Sequence, residues 1–210
     1  MTVLLGAVVG AIWGVLADRL AARWPTHAEG AIRPLDWRTV VVPIAGAAGL
    51  GGVASRWTDS RDLAVVGLYV AMLIVLLATD LDQRLLPDLL TLPLIPFALV
   101  VVLLGWDPQL TGKDLAIPSA IAAGLGAPVL LLLTDRLFGG SLGLGDVKLA
   151  VSLGLMSGIT RLVVGFLAAS IMGAVVILAL IGARRISLKS AIPFGPILIA
   201  GGITAALLQS

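Results

Sequence analysis

The chain has 210 residues, 59% of them hydrophobic and only 12% charged, with a mean hydropathy of +1.10. A soluble domain cannot hide that much apolar surface behind so few charges, so the expected class is all-α: a polytopic transmembrane bundle of about eight helices. The apolar runs are continuous and not alternating, which argues against a β-barrel, and a net charge of +2 with scattered basic residues argues against a nucleic-acid partner. Without cysteine there is no disulfide, Cys-ligated zinc or thiol nucleophile. His27 is the single histidine, which speaks against a His-based metal site or a Ser-His triad.

A spanning helix needs about 20 apolar residues. Eight segments are predicted, at Val3–Ala17, Thr39–Ala54, Leu63–Thr79, Leu89–Trp106, Leu115–Leu133, Asp146–Gly158, Leu162–Ala183 and Ala191–Leu208. The first lacks a basic leading region and an Ala-x-Ala end, so it reads as a retained helix. The second and sixth are the weakest, being brief and rich in glycine. Trp24, Trp37, Trp57 and Trp106 fall near predicted helix ends, where aromatic belts sit, and are given no catalytic role.

The connections carry most of the charge. If the N-terminus is outside, ten of the fourteen Lys and Arg residues fall on the cytoplasmic side. These are Arg19, Arg23, Arg33, Arg38, Arg84, Arg136, Lys148, Arg184, Arg185 and Lys189. The expected topology is N-terminus out and C-terminus out, with Arg184, Arg185 and Lys189 also available to anionic lipid.

Two stretches stand apart. Gly139-Gly-Ser-Leu-Gly-Leu-Gly-Asp-Val-Lys-Leu149 leads glycines into Asp146, a good N-cap at the mouth of an apolar helix. Thr79-Asp-Leu-Asp-Gln-Arg-Leu-Leu-Pro-Asp88 joins the third and fourth segments and carries three acids. Asp88 is explained as an acid at a positive helix end, and Asp82 with Arg84 as a solvated loop pair. Asp80 is harder to explain, because a carboxylate is unfavourable at the negative end of a helix. Ionisable groups at such depth are functional candidates by default.

By this topology Asp80 and Asp146 share the cytoplasmic side. Two carboxylates at one site resist double ionisation, so one keeps a proton; the other can activate water while its partner protonates an amide leaving group. Helix polarity assigns the base role to Asp146 and the acid role to Asp80. A capping role for each acid, or a transporter that uses membrane carboxylates, stays open at this point.

These residues resemble the type IV prepilin peptidase family, the GxGD class of membrane aspartyl proteases. Gly143-Leu-Gly-Asp146, continued by Val147-Lys-Leu149, is similar to its second catalytic motif, and Asp80-Leu-Asp-Gln-Arg-Leu-Leu-Pro-Asp88 to its first. Gly10-Ala-Ile-Trp-Gly-Val-Leu-Ala-Asp-Arg-Leu20 with Trp24-Pro25 resembles a degraded amino-terminal pattern, and Ile192-Pro-Phe-Gly-Pro-Ile-Leu198 a last-helix signature. The resemblance implies an aspartic endopeptidase that removes the leader of prepilin or pseudopilin precursors, with Asp80 and Asp146 catalytic. Gly143, Gly145, Lys148, Asp82, Arg84 and Asp88 become substrate-binding or supporting residues; for Arg84 and Lys148, simple anchoring is the competing account. It also divides the chain into an N-terminal membrane region, 1–62, and a catalytic membrane domain, 63–210. The loop from Asp18 to Arg38 departs from the family in lacking two Cys-x-x-Cys pairs, and Asp18 stands where Asn is usual. No cofactor is therefore expected, and N-methylation with S-adenosylmethionine is doubtful. An apolar substrate helix approaching sideways would suit small-residue surfaces at Gly46, Gly49, Gly124 and Gly126, although helix packing explains such glycines as well. A presenilin-like protease is the main rival; against it, Thr79 stands where that family carries Tyr.

Overall fold

The computed structural model describes residues 1–25, 32–110, 115–138, 142–182 and 194–208. Among them the secondary structure is wholly helical: α1 (Thr2–Ala21), α2 (Arg38–Arg56), α3 (Ser60–Gln83), α4 (Asp88–Leu103), α5 (Ala116–Phe138), α6 (Leu144–Gly182) and α7 (Gly195–Leu207). Five of these (α1, α2, α3, α5 and α6) are long and apolar enough to cross a membrane. Apolar side chains left exposed, such as Leu4, Val8, Ile12 and Val15 on α1, then face lipid.

α6 is one helix by hydrogen bonding but two limbs in space. Gly158 breaks it with φ 62° and ψ 178°, a conformation open to glycine and strained for other residues. Ser119 Oγ accepts from the Ile159 amide (3.0 Å), satisfying one of the donors freed at the start of the second limb. The first limb, 144–157, runs antiparallel to α5, with Gly154 against the backbone of Ala123 and Gly124 against Leu155. The second, 159–182, doubles back along α7, with Gly165 at Gly201 and Gly173 at Ile197. Among the described residues there are thus eight helical limbs, and the predicted gap between the sixth and seventh segments is this reversal. At 1.5 Å per residue the first limb is about 21 Å long, short of the roughly 30 Å hydrocarbon core.

α3 is the central helix, buried over more of its apolar length than α1, α2, α5 or α6. One face joins Val65, Tyr69, Leu73 and Leu76 to residues of α4, α6 and α7. Its other face packs Val66, Val70 and Ile74 on α1 and α2. α1 and α2 meet along glycines, closely enough that a Cβ on Gly10 would collide with the Gly46 carbonyl oxygen. Close backbone approach of this kind drives helix association in lipid.

α3 continues past its predicted end at Thr79 to Gln83, so Asp80 and Asp82 are helical. Arg84 ends it in the left-handed conformation, φ 55°, with its amide bonded to the Asp80 carbonyl (2.8 Å). α1 likewise extends beyond Ala17 to Ala21, which makes Asp18 a buried helical residue.

Candidate active site

Asp80 lies in the last turn of α3, only 6% exposed, and Asp146 in the first turn of α6. The two are near enough for the charge of Asp146 to act on Asp80, as does that of Arg84. Asp80 Oδ2 and Asp146 Oδ1 are buried, and neither has a hydrogen-bond partner among the described residues. Orphaned carboxylate oxygens are costly for a fold and are expected where a water or a substrate is to be bound.

Three glycines make the approach possible. A Cβ on Gly145 would lie 2.7 Å from Leu86 Cβ and 3.0 Å from its carbonyl oxygen, so the start of α6 presses directly on the α3–α4 connection. Gly143 leaves room beside Asp146 Oδ2, 3.3 Å from where its own Cβ would be. Gly195, at the start of α7, faces the Asp80 carboxyl group, with Cγ only 2.7 Å from its Cβ position. Asp135 Oδ1 accepts from the Leu142 amide (2.9 Å) and draws the end of α5 to the start of this segment. Gly139, Gly140 and Ser141 lie outside the described residues.

Several expectations are corrected here. Asp146 is not the N-cap of its helix: α6 starts at Leu144, and the Asp146 amide bonds the Gly143 carbonyl (3.0 Å). Asp88 does stand in the first turn of α4, as expected of an acid at a positive helix end, but it is not the N-cap. Pro87 occupies that position, and Asp88 Oδ1 accepts from Lys148 Nζ at 2.6 Å, pinning α6 to α4. Asp82 is not a loop residue. Its side chain is 1% exposed and meets Arg33 of the α1–α2 connection (2.7 Å) and Arg38 at the start of α2 (3.1 Å). Arg84 is exposed at the rim. Asp80 sits at the negative end of α3, as expected, but the positive start of α7 lies against the same carboxyl group. Helix ends therefore do not separate the two roles.

Gly195 was within a recognised signature, but nothing in the sequence placed it at Asp80. Arg33 and Asp18 were missed as a pair; their signal was charge persisting beside helix ends in a chain so poor in it. Of the small-residue surfaces, Gly46 packs on Gly10, Gly49 on Val70 and Gly124 on Leu155, while Gly126 has open space around it. Arg184, Arg185 and Lys189 lie outside the described residues, as do Ile192 and Pro193.

The bundle and its site define a class: an integral membrane protein in which a buried carboxylate, Asp80, and a half-buried one, Asp146, stand where helix ends converge. A model of the type IV leader peptidase family matches residues 67–178. The prepilin leader peptidase/N-methyltransferase of Burkholderia pseudomallei (strain K96243) is 36% identical over 171 residues, covering 80% of this chain and 54% of the relative. Proteins of the same name from Pseudomonas putida and Bacillus subtilis (strain 168) are 32% and 28% identical, over 74% and 72% of this chain and 53% and 58% of their own lengths. No solved structure matches significantly. The chain belongs to the type IV leader peptidase family, and it spans about half the length of the curated relatives it matches.

Proposed function

We propose that the chain is a membrane aspartyl endopeptidase that removes the leader peptide of type IV prepilin-like precursors. A water held between Asp80 and Asp146 attacks the scissile carbonyl; one carboxylate takes its proton, and the other, protonated, delivers a proton to the departing nitrogen. The pair shares that single proton, and its two titrations belong to the pair. The observation that carries this is the approach of two acids far apart in sequence, Asp80 buried and Asp146 half-buried, each with a buried oxygen that has no partner among the described residues. Membership of a leader peptidase family supplies the substrate class.

By the distribution of basic residues, the site lies at the cytoplasmic face of a prokaryotic inner membrane, with both termini of this chain outside. An apolar cavity of about 370 Å³, between α5, both limbs of α6 and α7, suits the apolar helix that follows the cut. Ala150 and Leu153 in its wall stand four and seven residues after Asp146, on the same face of α6. Gly126 opens into the same space. No cofactor is required for this chemistry, and methyl transfer is left outside the proposal.

The test is co-expression with a prepilin-like precursor and N-terminal sequencing of the product. The expected product is cut after the leader and unmethylated, and Asp80→Asn and Asp146→Asn each abolish the cut with membrane insertion intact. Cleavage that survives Asp146→Asn, or cleavage confined to a helix-embedded substrate, overturns it.

A further inference from the structure

The end of the bundle that carries Asp80 also holds a balanced cluster of three acids and three arginines, and no step of the proteolysis above uses it. Its centre is Arg33, whose side chain is 9% exposed. Its guanidinium hydrogen-bonds Asp18 on α1 through Nη2 and Asp36 before α2 through Nη1, and its Nε lies 2.7 Å from Asp82 on α3 as an ion-pair contact without hydrogen-bond geometry. Asp18 and Asp82 are each 1% exposed at the side chain. Arg19 adds a second bond to Asp18 and reaches Thr39 Oγ1 (2.8 Å), and Arg38 Nη1 spans Asp36 (3.2 Å) and Asp82 (3.1 Å). Burial works against the charge on Arg33, but its three acids outweigh that and hold it ionised.

Asp82 is two residues beyond Asp80 in the same helical turn. That turn is held by the α1–α2 connection at a second point, where Gln83 Nε2 donates to the Pro25 carbonyl (2.7 Å). The connection is itself closed at its base by the Arg33 amide on the Ala22 carbonyl (3.3 Å). A lone turn at a helix C-terminus frays, because its last carbonyls lack partners. Here it is clamped from the side by a planar fork that can serve several carboxylates at once.

We infer that Arg33 is a positioning residue for Asp80, acting through Asp82 to fix the last turn of α3 against the start of α7. This rests on the endopeptidase reading for its kinetic consequence but not for its structural one. Binding of precursor elsewhere on the bundle does not need the clamp, whereas the setting of Asp80 does.

The experiment uses the full chain in nanodiscs, with Arg33→Met, Arg33→Lys, Asp82→Asn and the double variant Arg33→Met/Asp82→Asn. Precursor cleavage is measured together with amide hydrogen exchange across residues 79–83. In Arg33→Met, kcat is expected to fall about tenfold while KM stays within about twofold. Arg33→Lys does not restore it, since a point charge cannot bridge three acids. The double variant is no slower than the worse single one, because both break the same link. Exchange at 79–83 rises in every variant. Unchanged kcat, additive losses, or a loss confined to KM overturns the clamp. If Arg33→Met fails to accumulate, the near-isosteric Asp82→Asn decides alone, by the same kcat, KM and exchange readouts. If the unaltered protein cuts no precursor, the endopeptidase reading fails by itself, and exchange at 79–83 still decides the clamp.

Discussion

Gly195 and Asp80 stand in direct contact across the α3–α7 boundary: a Cβ on Gly195 would lie 2.7 Å from Asp80 Cγ and 2.8 Å from Oδ2. Such a separation is closer than side-chain carbons tolerate, so the carboxyl group and the helix start cannot both stay in place once position 195 carries a methyl. Because α7 is held at its far end by Trp57 Nε1 on the Ala206 carbonyl (3.1 Å), the carboxyl group is the part that moves.

Gly195→Ala is therefore expected to leave the protein inserted and folded but to lower precursor cleavage by roughly 100-fold, the order of loss caused by a displaced reacting group. Steady-state cleavage with a melting curve in the same membranes checks it. An activity near the unaltered level would mean that Asp80 is free to move without consequence.

Gly145→Ala probes the other contact. Its methyl would meet Leu86 Cβ at 2.7 Å and the Leu86 carbonyl oxygen at 3.0 Å, so it wedges the start of α6 from the α3–α4 connection. The expected stability cost is about 1–3 kcal/mol, with cleavage lost because the two acids separate. Thermal unfolding and precursor cleavage read the two effects separately.

Lys148 and Asp88 make a link of another kind. Their contact is 2.6 Å, but the side chains are 31% and 60% exposed. Exposed pairs contribute little, so Lys148→Met should cost less than about 1 kcal/mol. It should also leave the maximal cleavage rate within about threefold, since Lys148 anchors α6 rather than tuning the acids. A far larger loss in rate than in stability would return Lys148 to the chemistry.

Asp107, after α4 at the end of the bundle remote from Asp80, gives a pH dependence. It is 2% exposed, and burial pushes its carboxyl up to about 7, against the Gln109 amide and the Arg161 charge, with Asp62 adding to the rise. The folded state thus keeps the proton after the unfolded chain has released it. Stability on this account is full in acid and declines as the pH rises through the ordinary carboxylate range toward 7. Asp107→Asn should flatten that decline, measured as the unfolding midpoint across the same pH window.

Local chemistry was enough for the class and for the helices. Apolar runs of spanning length, interrupted by charged connections, can only be membrane helices, because backbone groups in lipid must be satisfied within their own segment. Asp80 and Asp146 were visible for the same reason, as acids bordering hydrocarbon. By sequence Gly158 is only the edge of a short segment, since a reversal within one helix has no sequence pattern apart from a glycine among many. Asp88 stands in the first turn of α4, where helix starts favour acids, but its side-chain partner, Lys148, is 60 positions away and no local pattern shows it.

What the sequence by itself determined is the hydrocarbon content of each stretch and the places where an ionisable group interrupts it, because both are properties of contiguous residues. Which charges meet was decided only by the tertiary structure. The pairing of Asp82 with Arg33, and the closing of Gly195 on Asp80, depend on where helices far apart in the chain end beside one another. Those ends are placed by side-chain volume and close glycine contacts, and no local pattern records them.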